Sequence, residues 1–463
     1  MMIDNKTSRS NIDTDISTVT EATKLKIQQG LQQLLNDLQL DDAPAGGALA
    51  VYHAGSCIAQ ASVGMAQQNV PWQATTLALN FSTGKGVLAT LAHVLVSQQL
   101  LDYDQTIASY WPAFAVNGKA GITLRKLMSH QAGLFAINTI EADIATLLDW
   151  DKMVGKVAAM AITKPDNAEA YDSAYSALVY GWILGALIEK VTDMSLAAAL
   201  RHYLTEPLGI ADSYYFGVPA EQVNEVAKLA KDFTVTDINS LPSQPSSKRR
   251  KPTLRADSIA TLATYQKLAS YGCWQSLAMS DKTVLNSSQI NAIYFDPSSI
   301  NASNYKLALF PASKQPIDYY DQQTLQAVMP AVNGVASAQA LATIYAMLAN
   351  GGVWQGKILI DSQTFEQLSM VQQTGMDAVM PAKMNWRLGY HRLFSVCKNS
   401  VGNSNNPNSV EQGFGHMGYN GSVAWCEPTR QLSFAFVHNF DVTMLNDIRQ
   451  FALTEAVLAL FDQ

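Results

Sequence analysis

Asn80-Phe81-Ser82-Thr83-Gly84-Lys85-Gly86-Val87 leads straight from a polar step into an apolar run of Val87, Leu88, Leu91, Val94 and Leu95. That spacing predicts a buried helix over Lys85–Gln98. If the helix opens near Ser82, the side chains of Ser82 and Lys85 stand three residues apart on one face, about one turn. A serine hydroxyl is a weak nucleophile until a base takes its proton, and a partly desolvated lysine can do so. The helix N-terminus adds positive potential and free backbone N–H groups beside the reacting oxygen. A helix-capping serine beside a solvated lysine accounts for the same letters, so the rest of the chain has to decide.

Outward from this stretch, Gly46–His53 and Cys57–Val63 flank Ala54-Gly55-Ser56 and read as a β-hairpin, preceded by an amphipathic helix over Glu21–Leu40. The other end mirrors this, with strands Ser422–Glu427 and Gln431–His438 followed by a helix over Val442–Phe461. One antiparallel sheet shared by both chain ends and covered by helices, an α+β fold, satisfies the pattern. Between them the periodicity predicts helices over Ile122–Leu134, stopped by Gly133, and over Ala174–Val191 and Ala336–Asn350. The implied organisation is a disordered tail over 1–18, a sheet domain from 19–80 and 330–463, and a mainly helical domain over 81–329. Within it, 219–329 is a variable, insertion-rich segment, and Leu241–Pro252, with the basic run Lys248–Lys251, reads as an exposed loop. Asn399–Asn408 reads as another loop.

The 463 residues, 48% apolar and 15% charged, are ample for a core, and a net charge of −7 argues against nucleic acid or an anionic membrane as the main partner. No stretch reaches the roughly 18 apolar residues of a membrane span. Met1–Thr20 is polar and acidic rather than signal-like, so the expected location is cytoplasmic. Cys57, Cys273, Cys397 and Cys426 are scattered and expected as free thiols. The seven histidines make no H-x-x-x-H or H-E-x-x-H pattern, so no metal is expected, and catalysis by a serine hydroxyl and a lysine needs no cofactor.

Three Ser-x-x-Lys matches occur: Ser82–Lys85, Ser303–Lys306 and Ser395–Lys398. Only the first opens a long apolar helix; the second falls in the irregular 219–329 segment and the third runs into the Asn/Ser-rich loop. Tyr175, at the head of the expected central helix, is a second candidate, since a tyrosine near lysines can act as a phenolate or relay protons. Tyr171 and Tyr180 compete for that role, and an aromatic there is also ordinary core. The third is Phe414-Gly415-His416-Met417-Gly418-Tyr419-Asn420-Gly421-Ser422, where glycines admit a substrate to a sheet edge and a backbone N–H can join that of Ser82 in an oxyanion hole.

Together these elements resemble the serine β-lactamase and penicillin-binding protein superfamily, and more closely its class C-like esterase branch, the family VIII carboxylesterases. Flanking text follows in that family's order: Leu101–Asp104 with Tyr110-Trp111-Pro112, Ile122–Leu134, and Asn333-Gly334 with Ser337. The resemblance implies a sheet flanked by the terminal helices plus a helical domain, with the site in the cleft between. It implies Ser82 as the acylated nucleophile, Lys85 as its base, and Tyr175 as the tyrosine of the Y-x-N element. His416-Met417-Gly418 takes the place of K-T-G, and the Tyr419 N–H that of the second oxyanion donor.

Two residues depart from the pattern. Ala177 stands where lactamases and peptidases carry an amide-binding asparagine, and His416 where they carry a carboxylate-binding lysine. An ester of a small or medium acyl group needs neither, so the expectation is a serine hydrolase cleaving small-molecule esters through an acyl-enzyme. A β-lactamase or D-Ala-D-Ala peptidase, a lactonase or transacylase, and a catalytically silent scaffold remain alternatives.

Overall fold

The computed structural model describes residues 19–39, 44–233, 257–278, 284–313, 315–398 and 409–461. The expected 1–18 tail, the Leu241–Pro252 loop with Lys248–Lys251, and the Asn399–Asn408 loop lie outside the described residues.

Helix α1 (Glu21–Asp37) leads into the hairpin β1 (Gly47–His53) and β2 (Ser56–Val63), then β3 (Ala78–Phe81) and helix α2 (Thr83–Ser97). Helix α3 (Val179–Thr192), strand β4 (Tyr214–Phe216) and helix α4 (Ala302–Leu309) follow. The chain closes with β5 (Gly334–Ala336), α5 (Ala338–Ala349), β6 (His391–Arg392), β7 (Phe414–Met417), β8 (Val423–Glu427), β9 (Leu432–His438) and α6 (Arg449–Ala459). The main sheet runs β6-β7-β8-β9-β1-β2, antiparallel throughout. The two chain ends meet in it, Gly47 opposite His438 and His53 opposite Leu432, as the mirrored hairpins implied.

Strand alternation sends neighbouring side chains to opposite faces, and two helices exploit this. On one face the Ser433 hydroxyl donates to Ala342 O of α5 (2.9 Å) and Thr343 bonds the Tyr52 hydroxyl (3.1 Å). On the other, Trp425, paired with Phe434, donates its indole N–H to Thr454 of α6 (3.1 Å). Strand β2 is the sheet edge, and α1 occupies it. The Gln28 side-chain amide both donates to and accepts from the Gln60 backbone, and Gln32 donates to Ser62 O (2.9 Å), so the edge carries fewer free backbone groups.

Several boundaries differ from those expected, and the last helix begins at Arg449 rather than Val442. The central helix begins at Val179 rather than Ala174, so Tyr175 lies in an irregular approach to it, where the Ser176 hydroxyl accepts from Tyr180 N–H. The helix expected over Ile122–Leu134 is the single turn and a half Leu124–Met128, because the chain turns left-handed at His130 and again at Gly133. The described parts of the 219–329 segment carry helices that its composition did not announce, at Ile259–Lys267, Tyr271–Leu277, Ser287–Tyr294 and α4. Ser303 and Lys306 lie on α4, while Ser395 is buried with its hydroxyl on Glu455 (2.8 Å).

Ahead of α6 a buried ion pair holds the turn that follows β7. Arg449 grips both oxygens of Asp447 (2.6–3.0 Å) and lies 3.8 Å over the Phe440 ring, while Asp447 approaches His438, whose Nε2–H donates to Asn420 O (3.0 Å). Burial pushes the Asp447 carboxyl up, but Arg449 more than offsets this and holds it below its ordinary 3.8. Its stabilising contribution is therefore present above the unfolded value and fades as the pH falls through the lower folded one. Asp447→Asn leaves a buried guanidinium unpaired and should cost about 3–5 kcal/mol, read as a lowered urea midpoint at pH 7.

Candidate active site

Phe81 ends β3 at φ 49°, a left-handed conformation that costs a non-glycine residue roughly 1–3 kcal/mol. Its pairing with Gly334 and its ring contacts with Tyr319 (5.5 Å) and Tyr419 (6.0 Å) hold it there. The bend delivers Ser82 to the N-cap of α2. Ser82 makes no capping bond with its side chain, which leaves the hydroxyl for other partners, and Lys85 is fully buried. The reading of a capping serine with a solvated lysine therefore fails on both residues.

Lys85 Nζ lies 2.9 Å from Ser82 Oγ, 2.6 Å from Ala177 O and 2.7 Å from Ala331 O. Its partners are a hydroxyl and two carbonyls, and the ring of Tyr175 lies 5.0 Å away. Burial, with no anionic partner among the described residues, drives its pKa well below 10.5. With the amine neutral, the same 2.9 Å contact runs from serine O–H to nitrogen, which is the geometry of a proton acceptor. Tyr175 responds oppositely to burial. Desolvation raises its phenol above 10.0, against the opposing pull of its hydrogen bond with the Ser82 hydroxyl, so it stands protonated at neutral pH and suits a relay rather than a resident phenolate.

Tyr175 is held from several sides. Its ring stacks on Trp386 (5.5 Å, 8° between planes) and meets His130 edge-on at 5.0 Å. Behind them the buried Asp377 carboxylate accepts from Tyr175 N–H (3.2 Å), the Ser173 hydroxyl (2.6 Å), Trp386 Nε1–H (3.1 Å) and the N–H groups of Val379 and Met380 (2.9 Å each). Nothing in the sequence marked Asp377 or Trp386, which are remote in the chain from what they support and lie in no motif, and His130 was covered only as part of the Ile122–Leu134 stretch, with no role of its own.

His416 on β7 flanks the same space, 6.1 Å from Tyr175 ring to ring. Its Nδ1–H donates to Met417 O (2.9 Å), which leaves Nε2 as a bare, buried lone pair. Burial, then the neighbouring His391 and Lys85, keep this imidazole neutral, so it offers no positive charge where the resemblance has lysine. Gly418 lets two backbones meet, since a Cβ there would lie 2.3 Å from Asn80 O. Its N–H is committed to Ser422 O (2.6 Å), which also accepts from the Thr83 hydroxyl at the head of α2. Tyr419 lies in the turn after β7 rather than in the strand. Among the described residues no acceptor takes the N–H of Ser82 or of Tyr419, so both remain available to an oxyanion.

Ser82, Tyr175, His416 and Tyr419 line one cavity of about 530 Å³, whose far wall is Leu309, Phe310 and Ile317 of the 219–329 segment together with Met380, Met384 and Met444. Asn304 fastens α4 to Asp166 through its side-chain amide, and Asn138 donates to Phe310 O (2.7 Å). Among the described residues no three His, Cys, Asp or Glu side chains converge on a metal position, no helix is long and apolar enough to cross a membrane, and all four cysteines are free.

The family model described as Beta-lactamase matches residues 31–458. The chain belongs to this family. It is 31% identical over 397 residues to the esterase/beta-lactamase LipL of Mycobacterium tuberculosis, covering 85% of this chain and 77% of that protein. A penicillin-binding protein homolog from Caulobacter crescentus superposes with a TM-score of 0.67 at 26% identity, over 94% of this chain and 97% of that one. A family VIII carboxylesterase shares the fold with a TM-score of 0.69 at 23% identity, over 96% and 98%. The protein is a serine hydrolase of the beta-lactamase fold.

Because Asp377 holds the backbone of Tyr175 and its stacking partner at once, Asp377→Ala should lower kcat by about 10²-fold, with the far-ultraviolet circular dichroism unchanged.

Proposed function

We propose that this serine hydrolase cleaves uncharged carboxylic esters with an apolar acyl group of small to medium size. Ser82 attacks the carbonyl carbon as its proton passes to neutral Lys85, and the N–H groups of Ser82 and Tyr419 receive the developing oxyanion. Tyr175 carries the proton onward to the leaving alkoxide, the alcohol departs, and water releases the acid by the reverse relay. The observation that carries this reading is the 2.9 Å approach of a fully buried, anion-free Lys85 to a serine hydroxyl that caps nothing. The ester preference rests on Ala177 and a neutral His416 in place of amide- and carboxylate-binding groups, and on the apolar far wall. LipL, named for both activities, is consistent with it.

Ser82→Ala should lower turnover of p-nitrophenyl butyrate by about 10³-fold or more and abolish fluorophosphonate labelling. Full turnover by that variant, or faster hydrolysis of a chromogenic cephalosporin than of simple esters, would falsify the proposal. Across p-nitrophenyl acetate, butyrate and hexanoate, kcat/KM should climb by up to about fourfold per methylene until the cavity is filled. Phe310→Ala should shift the optimum to longer chains. Since the working form of Lys85 is neutral, activity should fall as the pH drops through its pKa, and that acid limb should lie well below pH 10.5.

A further inference from the structure

A second cleft, of about 590 Å³, shares no lining residue with the first. His130 forms part of its wall, with Lys126, Gln131, Lys164 and Asp172. The imidazole is 3% exposed, and its Nδ1 accepts from Ser176 N–H (3.2 Å). Since an N–H can only donate, the ring proton resides on Nε2, and that N–H finds no acceptor among the described residues. Left without a partner among those residues, this N–H is open to water or to an anion in the cleft. Lys126 and Lys164 are exposed, make no ion pair among the described residues, and outnumber the one lining carboxylate, Asp172.

We propose that this cleft binds a small oxyanion, phosphate or carboxylate, which accepts from His130 Nε2–H while Lys126 and Lys164 supply the countercharge. The position gives the occupant a route to catalysis. His130 touches Tyr175 at 5.0 Å and Trp386 at 4.3 Å, and its Nδ1 holds the residue after Tyr175. A negative charge behind His130 disfavours negative charge on Tyr175 and favours the protonated form of Lys85. Both effects slow the proton relay without altering the apolar ester pocket, so the anion lowers kcat and leaves KM unchanged. This consequence rests on the ester-hydrolase reading; binding itself does not.

Titration calorimetry of the full chain with inorganic phosphate, and separately with acetate, against chloride at matched ionic strength, tests the site directly. Saturable binding of either anion is expected, and the tighter of the two identifies the physiological class. Lys126→Ala/Lys164→Ala should weaken it by about tenfold or more, and Asp172→Asn should tighten it, a gain that misfolding cannot imitate. Absence of saturable heat with both anions, or equal affinities in wild type and both variants, overturns the proposal. With p-nitrophenyl butyrate, the anion should reduce kcat by roughly fivefold or more at saturation. Competitive inhibition instead would put the anion in the ester cavity and overturn it as well. If esters are not substrates, calorimetry still decides the anion site.

Discussion

A lysine ammonium enclosed by a hydroxyl and two carbonyls, with no carboxylate to compensate it, is the constraint around which this fold is arranged. Water would hold Lys85 charged; the interior lacks the means. Burying a charge in such a site is unfavourable, and this desolvation draws the pKa of the amine well below its ordinary 10.5. The three partners come from three separated parts of the chain: Ser82 at the N-cap of α2, Ala177 before α3 and Ala331 before β5. Displacing any one changes both the position of the amine and its basicity. The left-handed bend at Phe81 and the close approach of Gly418 to Asn80 belong to the same requirement, since each fixes where α2 begins.

Much of this was legible in the letters, for physical reasons. Strand period and turn residues announced the two hairpins, and their symmetric placement at the chain ends implied the pairing seen between β1 and β9. A lysine one helical turn from a serine is a local relation, so Ser82 and Lys85 could be read together. Tyr175 and His416 needed the resemblance, because their distance from Ser82 in space is unrelated to their distance in sequence.

What was not legible is equally instructive. The central helix was drawn too early because apolar residues continue through Tyr175-Ser176-Ala177; side-chain to backbone bonds by Ser176 compete there with helical pairing. Helices in the 219–329 segment were hidden by the breaker-rich text around Leu241–Pro252, although α4 carries its own Asn301 cap. Asp377 was invisible because a carboxylate that accepts five donors looks, in sequence, like any solvated aspartate.

The division of labour around the main cavity bears on how such a protein can change over time. Ser82, Tyr175 and Tyr419 sit at the head of α2, the approach to α3 and the β7 turn, whereas much of the far wall comes from α4 and the residues after it, fastened through Asn304 and Asn138. Substitutions along Leu309–Ile317 can therefore reshape what fits without touching the contacts between Ser82 and Lys85. The pocket is built from two nearly separable parts, so its shape can be altered on one while the other is left in place.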